Sequence, residues 1–404
     1  IALFNSKIQH HFLNEKNTIK SAKYKIKNNS SSKIVIHFHA ASTGEFEQLK
    51  PILQLIDRKK NFVLVSFYSP TVFNLEKDTE LADAVCYHPF DFPWSAWYFF
   101  KKLNIKYYII TRNDIWPTHL FIANKLKIYS ILINANIYKK SHYKNLLYRS
   151  FFKSVLNRFD LILTGSERLK TNLAKLVSHN KIVITGDSRL DRVLHRKQEK
   201  TSSILPNVYK TSNTLILGSI VPSDYNIIFK GIGDYYNNDF NILKEKKHRI
   251  IVAPHEINNY DLKQIEHNLS KIKFEFSYLS DKNNLSNSNI IIIDKIGILA
   301  DLYFYSNIAY IGAGFSSGVH SVLEPTVYNN AVSFGPNYEI VDIAVSLTNR
   351  NLASVIHNSN DFKKFCNLLD DNKALKVISN NIKNYIAKQP IAAETILNEI
   401  INVN

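Results

Sequence analysis

Short β-branched and aromatic runs alternate along this chain with longer stretches in which apolar residues recur at helical spacing. In the first half the strand-like runs are 33–38, 62–67, 107–111, 128–133, 160–164 and 181–185. The segments between them, such as 46–57 and 166–176, have the period of a helix with one buried face. Strand–helix alternation of this kind predicts a parallel sheet covered by helices on both faces. Around 193–210 the pattern dissolves into charge, Ser and Pro, which reads as a linker. It then restarts, with strands expected at 214–218, 249–253, 290–293, 308–312 and 331–334. After Asn360 the chain reads as helical, at 361–369, 373–388 and 392–401. The expected architecture is α/β, with two doubly wound Rossmann-like domains facing a cleft. Their bounds are read as 1–195 and 211–385, joined by a linker at 196–210, with 386–404 packing back on the first domain. In such sheets ligands sit beyond the carboxyl ends of the strands. No repeat of 20–50 residues is visible.

Composition narrows the classes. The chain has 404 residues, 45% apolar and 12% aromatic, which excludes general disorder and allows two or three cores. No run of about 18 uncharged apolar residues exists to span a bilayer as a helix. Cys86 and Cys366 make no disulfide framework; both read as buried hydrophobes in a reducing compartment. There is no Met and the chain begins at Ile1, so an initiating segment, able to hold a signal or anchor, is expected to be missing.

With 51 Lys+Arg against 34 Asp+Glu the formal charge is +17, which favours an anionic partner: nucleic acid, lipid head groups or a phosphorylated small molecule. Residues 1–33 hold seven Lys against Glu15 alone, and 138–158 hold six Lys/Arg and no acid. The latter segment reads either as a basic amphipathic helix on anionic lipid or as an ordinary packed helix with a solvated face. No nucleic-acid-binding signature or Cys/His zinc spacing accompanies the charge.

Candidate chemistry lies in the loops after strands. His39-Ala40-Ala41-Ser42-Thr43-Gly44-Glu45 lets the backbone turn closely at a helix start and leaves amides for an anion or a sugar hydroxyl. Glu45 is then either a cleft carboxylate or a complement to the helix dipole. In Arg112-Asn113-Asp114-Ile115-Trp116-Pro117, Asp114 either faces the cleft or caps the next helix, and Trp116 reads as a packing anchor. Arg189, in Thr185-Gly186-Asp187-Ser188-Arg189-Leu190-Asp191, is either a phosphate or carboxylate clamp or the ion-pair partner of Asp187 or Asp191. In the second half, Gly218-Ser219 precedes a helix expected at Pro222, and Pro254-His255-Glu256 ends a strand in the same manner. The segment from Gly312 through Gly314, Gly318 and His320 to Glu324-Pro325 reads as a Gly/Ser loop. Its glycines would permit close approach of a phosphate, and Glu324 would accept from ribose hydroxyls. Of His37 and His39, at most one is expected to face the cleft. Trp94 and Trp97 read as core or membrane-interface anchors, and Asp91 as a turn former.

Taken in order, these segments resemble the 3-deoxy-D-manno-octulosonic acid (Kdo) transferases of lipopolysaccharide synthesis, notably a Bacteroidetes-like branch. The likeness runs through H-A-A-S-T-G-E-F-E-Q, N-D-I-W-P, T-G-D-S-R-L-D, G-S-I-V-P, A-P-H-E and G-V-H-S-V-L-E-P followed by F-G-P-N-Y. It implies a GT-B fold and inverting transfer of Kdo from CMP-Kdo to a phosphorylated lipid A precursor (lipid IVA), with no cofactor and no bound metal. By the same likeness Glu45 is the general base, Asp114 and Arg189 stabilise the transition state, and Ser42, Thr43 and Gly44 meet the acceptor. Donor binding falls to Ser219, Pro254, His255, Ile296, Gly297, Ile298, Gly314, Gly318, His320, Ser321, Val322, Leu323 and Glu324. The chain departs from the family at Asp114, where Glu is usual, at Arg189 for Lys, and at Ser321 for Asn. Pro254 likewise stands for a common Arg and Ile298 for a common Glu. The implied partners are the donor, the acceptor and an anionic membrane surface, not nucleic acid. The implied location is the cytoplasmic face of the bacterial inner membrane. Another GT-B transferase using a UDP-sugar, or a catalytically impaired relative, is the alternative.

Overall fold

The computed structural model describes residues 6–29, 32–136, 146–199, 203–282 and 284–401. It divides into two compact units, residues 1–192 with 390–404 and residues 193–389.

Unit 1 is built on seven parallel strands: β1 (Ile34–Ala40), β2 (Asn61–Phe67), β3 (Ala84–Tyr87), β4 (Ile105–Thr111), β5 (Tyr129–Ala135), β6 (Leu161–Thr164) and β7 (Ile182–Ile184). Their order is β3-β2-β1-β4-β5-β6-β7, so the chain reverses its direction of winding between β1 and β4. Both faces are covered. On one, Phe99 and Phe100 of helix Pro93–Lys102 and Leu120 of helix Pro117–Lys125 pack with Tyr108 and Ile110. On the other, Phe46, Leu49 and Ile52 of helix Thr43–Leu55 pack with Phe38 and Val65.

The last helix, Ala392–Ile401, joins this second face through Ala392, Ala393, Ile396 and Ile400. Asp191 holds its start, accepting from the amides of Ala392 (3.3 Å) and Ala393 (2.6 Å). Gly186 has φ +87, and a Cβ there would meet Pro390 Cγ at 2.9 Å, so glycine is needed for both the turn and the contact. Ile396→Ala is expected to lower the stability of unit 1 by roughly 2–4 kcal/mol, read from its urea transition.

Unit 2 repeats the plan with β8 (Thr214–Ile220), β9 (Arg249–Pro254), β10 (Ser277–Tyr278), β11 (Ile290–Ile292), β12 (Ile308–Ile311), β13 (Ala331–Phe334) and β14 (Ala353–Val355). The order is β10-β11-β9-β8-β12-β13-β14, again all parallel, and its reversal lies between β8 and β12.

Several local readings change. Helix Ser6–Asn29 was not foreseen; it buries only His11, Ile19, Ala22 and Ile26 and carries a sparse apolar stripe among lysines. The short strands β3, β10 and β14 were not foreseen either. The charged stretch 193–210 is helical at both ends, in Ser188–Glu199 and Val208–Thr211, with 200–202 outside the described residues. Of the basic segment 138–158, residues 138–145 lie outside the described residues. Helix Leu146–Leu156 buries Val155 and Leu156 and exposes Phe151 and Lys153. Cys86 and Cys366 are buried free thiols.

Candidate functional site

In each unit the winding reversal falls between two neighbouring strands, and several of the predicted loops leave the carboxyl ends of the strands there, where doubly wound sheets bind ligands. In unit 1 these are the loops after β1 and β4. Ser42 caps helix Thr43–Leu55 by accepting from the Glu45 amide (3.3 Å), and Glu45 Oε2 accepts from the Ala41 amide (2.7 Å). The reciprocal pair is a capping box displaced by one residue, with Ala41 where the cap's own amide would be. Glu45 therefore does serve its helix, and the same bond fixes the carboxylate in place. Burial raises its pKa above the usual carboxylate value; the Ala41 amide opposes this, Asp114 adds to it, and His39 and Arg112 oppose it. Ser42, Thr43 and Gly44 are exposed, and a Cβ on Gly44 would meet nothing within 4 Å.

Of the two readings of Asp114, the helix cap is not the one formed. Its Oδ2 accepts from His39 Nε2 (2.7 Å) and Trp116 Nε1 (2.8 Å). Burial would raise its carboxyl, but the His39 hydrogen bond and charge, with Trp116, hold it below the usual range. The cap of helix Pro117–Lys125 comes instead from Asp91, through the amides of Thr118 (3.2 Å) and His119 (3.0 Å). Asp91 is thus a cap donated across the fold rather than a turn former. Trp116 is more than a packing anchor, because its ring N–H donates to the candidate catalytic carboxylate.

His37 and His39 lie two residues apart on β1 and so share one face of the sheet. Both are fully buried and both reach Ser66 Oγ, from His37 Nε2 (2.7 Å) and His39 Nδ1 (2.9 Å). The Asp114 carboxylate makes His39 Nε2 a donor, while His39 Nδ1 faces both Ser66 Oγ (2.9 Å) and the Ser66 carbonyl oxygen (3.2 Å). Two further buried rings complete the layer: His88 meets Tyr108 OH (2.9 Å) and His119 meets Asp91 (2.8 Å). Neither His39 as a positioning group nor Ser66 was singled out from sequence. His39 heads its motif and was visible there, whereas Ser66 is revealed only by the β1–β2 register, which pairs His39 with Ser66.

Arg189 lies in the first turn of helix Ser188–Glu199, where its amide is held by Asp187 Oδ1 (2.9 Å). Two contacts tie that helix to the Glu45 helix: Ser188 Oγ to Gln48 O (2.7 Å) and Arg192 Nε to Glu47 Oε2 (2.6 Å). Asp191 is taken up by the C-terminal helix. Arg112, with φ 63 at the end of β4, is a further cation acting on Glu45.

In unit 2 the end of β8 and the loops after β9 and β12 bring Ser219, His255 and His320 together. Ser219 Oγ lies 2.9 Å from His255 Nδ1 and 2.6 Å from His320 Nδ1. Ser321 is hydrogen-bonded to Glu324 at the start of helix Leu323–Val327. A Cβ on Gly312 would fall 2.2 Å from Ser219 O, one on Gly314 2.4 Å from Gly335 N, and one on Gly318 2.1 Å from Ile340. These three let neighbouring segments of the chain approach each other closely. Gly297, at φ +87, opens onto empty space. Pro254, Val322 and Leu323 are buried and spend their side chains on packing, while Ile296 is 81% exposed. Ile298 packs partly against the core.

The fold defines the class: two Rossmann-like units of GT-B type. A glycosyltransferase from Rickettsia africae shares the fold at TM-score 0.61, 11% identical, covering 91% of this chain and 99% of that one. Residues 14–192 match the family described as 3-deoxy-D-manno-octulosonic-acid transferase (kdotransferase). A Kdo transferase of Aquifex aeolicus is 25% identical over 344 residues, 84% of this chain and 87% of its own. A bifunctional glycosyltransferase/methyltransferase of Fusobacterium nucleatum is 25% identical over 361 residues, 84% of this chain. The chain spans about half of that protein's length, 53%.

Proposed function

We propose that this chain transfers Kdo from CMP-Kdo to a phosphorylated lipid A precursor, with inversion and with Glu45 as the general base. The observation that carries the reading is Glu45 itself: a carboxylate anchored by the Ala41 amide, half-withdrawn from water and raised in pKa, beside Ser42–Gly44. A base poised in this way takes the acceptor hydroxyl's proton as its oxygen bonds to the anomeric carbon. The bond from that carbon to the CMP phosphate breaks, and CMP departs with the electron pair. Asp114 and Arg189 stabilise the charge that moves, and the Ser219–His255–His320 loops of unit 2 hold CMP.

The same reading places the protein at the cytoplasmic face of an inner membrane, where its acceptor lies. No helix among the described residues is long and apolar enough to cross a membrane. In support of surface binding, helix Pro93–Lys102 exposes Trp94 (70%), Trp97 and Tyr98, with Lys101 over Trp97 and Lys102 over Tyr98. Aromatic rings flanked by lysines suit the interfacial layer of an anionic bilayer, and the exposure rules out a core role for both tryptophans. Replacing Trp94 and Trp97 by Ala is expected to lower co-sedimentation with phosphatidylglycerol vesicles several-fold.

Mass analysis of lipid IVA after incubation with CMP-Kdo and the protein tests the activity. An added Kdo mass supports the reading and counts the units transferred. Turnover with UDP-sugars but not CMP-Kdo would overturn it.

A further inference from the structure

We infer that the Ser219–His255–His320 cluster is a proton-coupled anion clamp, which takes up about one proton each time a phosphate monoester dianion binds. The inference rests on the reading of unit 2 as the CMP-binding half and adds to it a protonation step.

The geometry sets a shortage of hydrogens. Both imidazoles present Nδ1 to a single hydroxyl, Ser219 Oγ, at 2.9 and 2.6 Å. One hydroxyl hydrogen satisfies only one of them. The other ring must donate Nδ1–H to Oγ, and while neutral it carries a bare lone pair at Nε2. A dianion arriving there meets one N–H donor and one repelling lone pair. A proton added at that Nε2 makes the second ring a donor at both nitrogens and gives it the charge the dianion seeks. The proton comes from solvent and stays on the imidazole until the anion leaves, so no bond in the ligand changes.

Three observations favour this cluster over an ordinary polar contact. The arrangement is held deliberately: Ser219 has φ 55, sparsely populated for a non-glycine residue, at a bulge where the β8–β9 register shifts. The His255 and His320 rings are 4.2 Å apart, so the empty pair does not readily hold two charges. Burial and the neighbouring His255 push His320 down to about 4, which keeps it neutral until a counter-charge arrives.

The loops that meet here, 218–224, 254–259 and 312–326, contain no Lys or Arg. Their charged groups are Asp224, Glu256 and Glu324. Asp224 is spent on the amides of Val221 and Ala313 and on Tyr310 OH, Glu256 stands exposed beside His255, and Glu324 is bonded to Ser321. Within these three loops the imidazoles are the only source of positive charge for a phosphate.

Calorimetric titration of the full chain with CMP tests the clamp, in buffers of different ionisation enthalpy at pH 7.5. CMP is already a dianion at that pH, since its second phosphate ionisation lies near 6. The expected result is uptake of close to one proton per CMP, none with cytidine, and a Kd that rises nearly tenfold per pH unit from 7 to 8.5. His320→Gln and Ser219→Ala are each expected to bind CMP more weakly, with uptake below a third of a proton and a flattened pH dependence. CMP binding by the unaltered chain without proton uptake would overturn the clamp and leave the CMP-binding reading standing. Uptake undiminished in a folded His320→Gln chain would overturn it too. No binding of CMP at all would remove the reading of unit 2, and the clamp with it.

Discussion

Glu45→Gln is expected to lower the rate of Kdo transfer at least a hundredfold while leaving CMP binding in unit 2 unchanged. Amide nitrogen in place of carboxylate oxygen removes the proton acceptor, and a positioned general base contributes about 10²–10⁴ in rate. Gln keeps the side chain's length and can still accept from the Ala41 amide, so the start of helix Thr43–Leu55 survives and the loss reports chemistry rather than folding. The pH dependence gives a second, independent readout. Only ionised Glu45 acts as a base, so turnover rises with pH through an ionisation above the ordinary carboxylate range.

The neighbours set where that rise falls, and they act in opposite directions. Asp114 pushes the Glu45 carboxyl up, so Asp114→Asn moves the rise to lower pH. Arg112 pulls it down, so Arg112→Gln moves it to higher pH. Measurement of kcat against pH for the three chains decides the matter. A profile that stays in place in both variants would remove Glu45 from the role of base even if Glu45→Gln is inactive.

The layered plan was legible because long apolar runs at regular spacing leave a parallel sheet few alternatives, and the loops with chemistry follow strand ends. What local pattern does not encode is a partner distant in sequence. Ser66 sits in a plain strand run and matters only because register sets it opposite His39. Asp91 stands 27 residues before the amide of Thr118 that it holds, so its neighbours suggest a turn while the fold uses it as a cap. Glycines show the same limit. Gly312, Gly314 and Gly318 read from sequence as permitting close approach, but their sequence neighbours do not say what approaches: backbone at the first two and Ile340 at the third. Glu45 was visible because both its cap and its motif are local, so either role could be read within seven residues.

Acidification from pH 7.5 to 5.5 is expected to lower the stability of unit 1 measurably, in a domain held together by a typical margin of roughly 5–15 kcal/mol. The cause is the buried imidazole layer behind the candidate base. His37, His88 and His119 are each held below the ordinary histidine value, first by burial and then by one another's charge and that of His39, with Asp91 partly offsetting this at His119. In the folded chain they stay neutral; in the unfolded chain they bind protons near pH 6.5. Their stability is therefore complete above that pH and is lost as pH falls below it, at up to about 1.4 kcal/mol per group per pH unit. Asp191, raised to about 6 by burial, works the other way as it protonates in the folded state and offsets part of the loss. All three tryptophans, Trp94, Trp97 and Trp116, belong to unit 1, so their fluorescence follows that unit's urea transition without interference from unit 2. The midpoint should hold steady above pH 7 and fall steeply between 6.5 and 5.5. His88→Gln, which keeps a polar group opposite Tyr108 but cannot take a proton, should flatten that fall. A midpoint unchanged at pH 5.5 would mean that the buried rings are not held neutral in the folded chain.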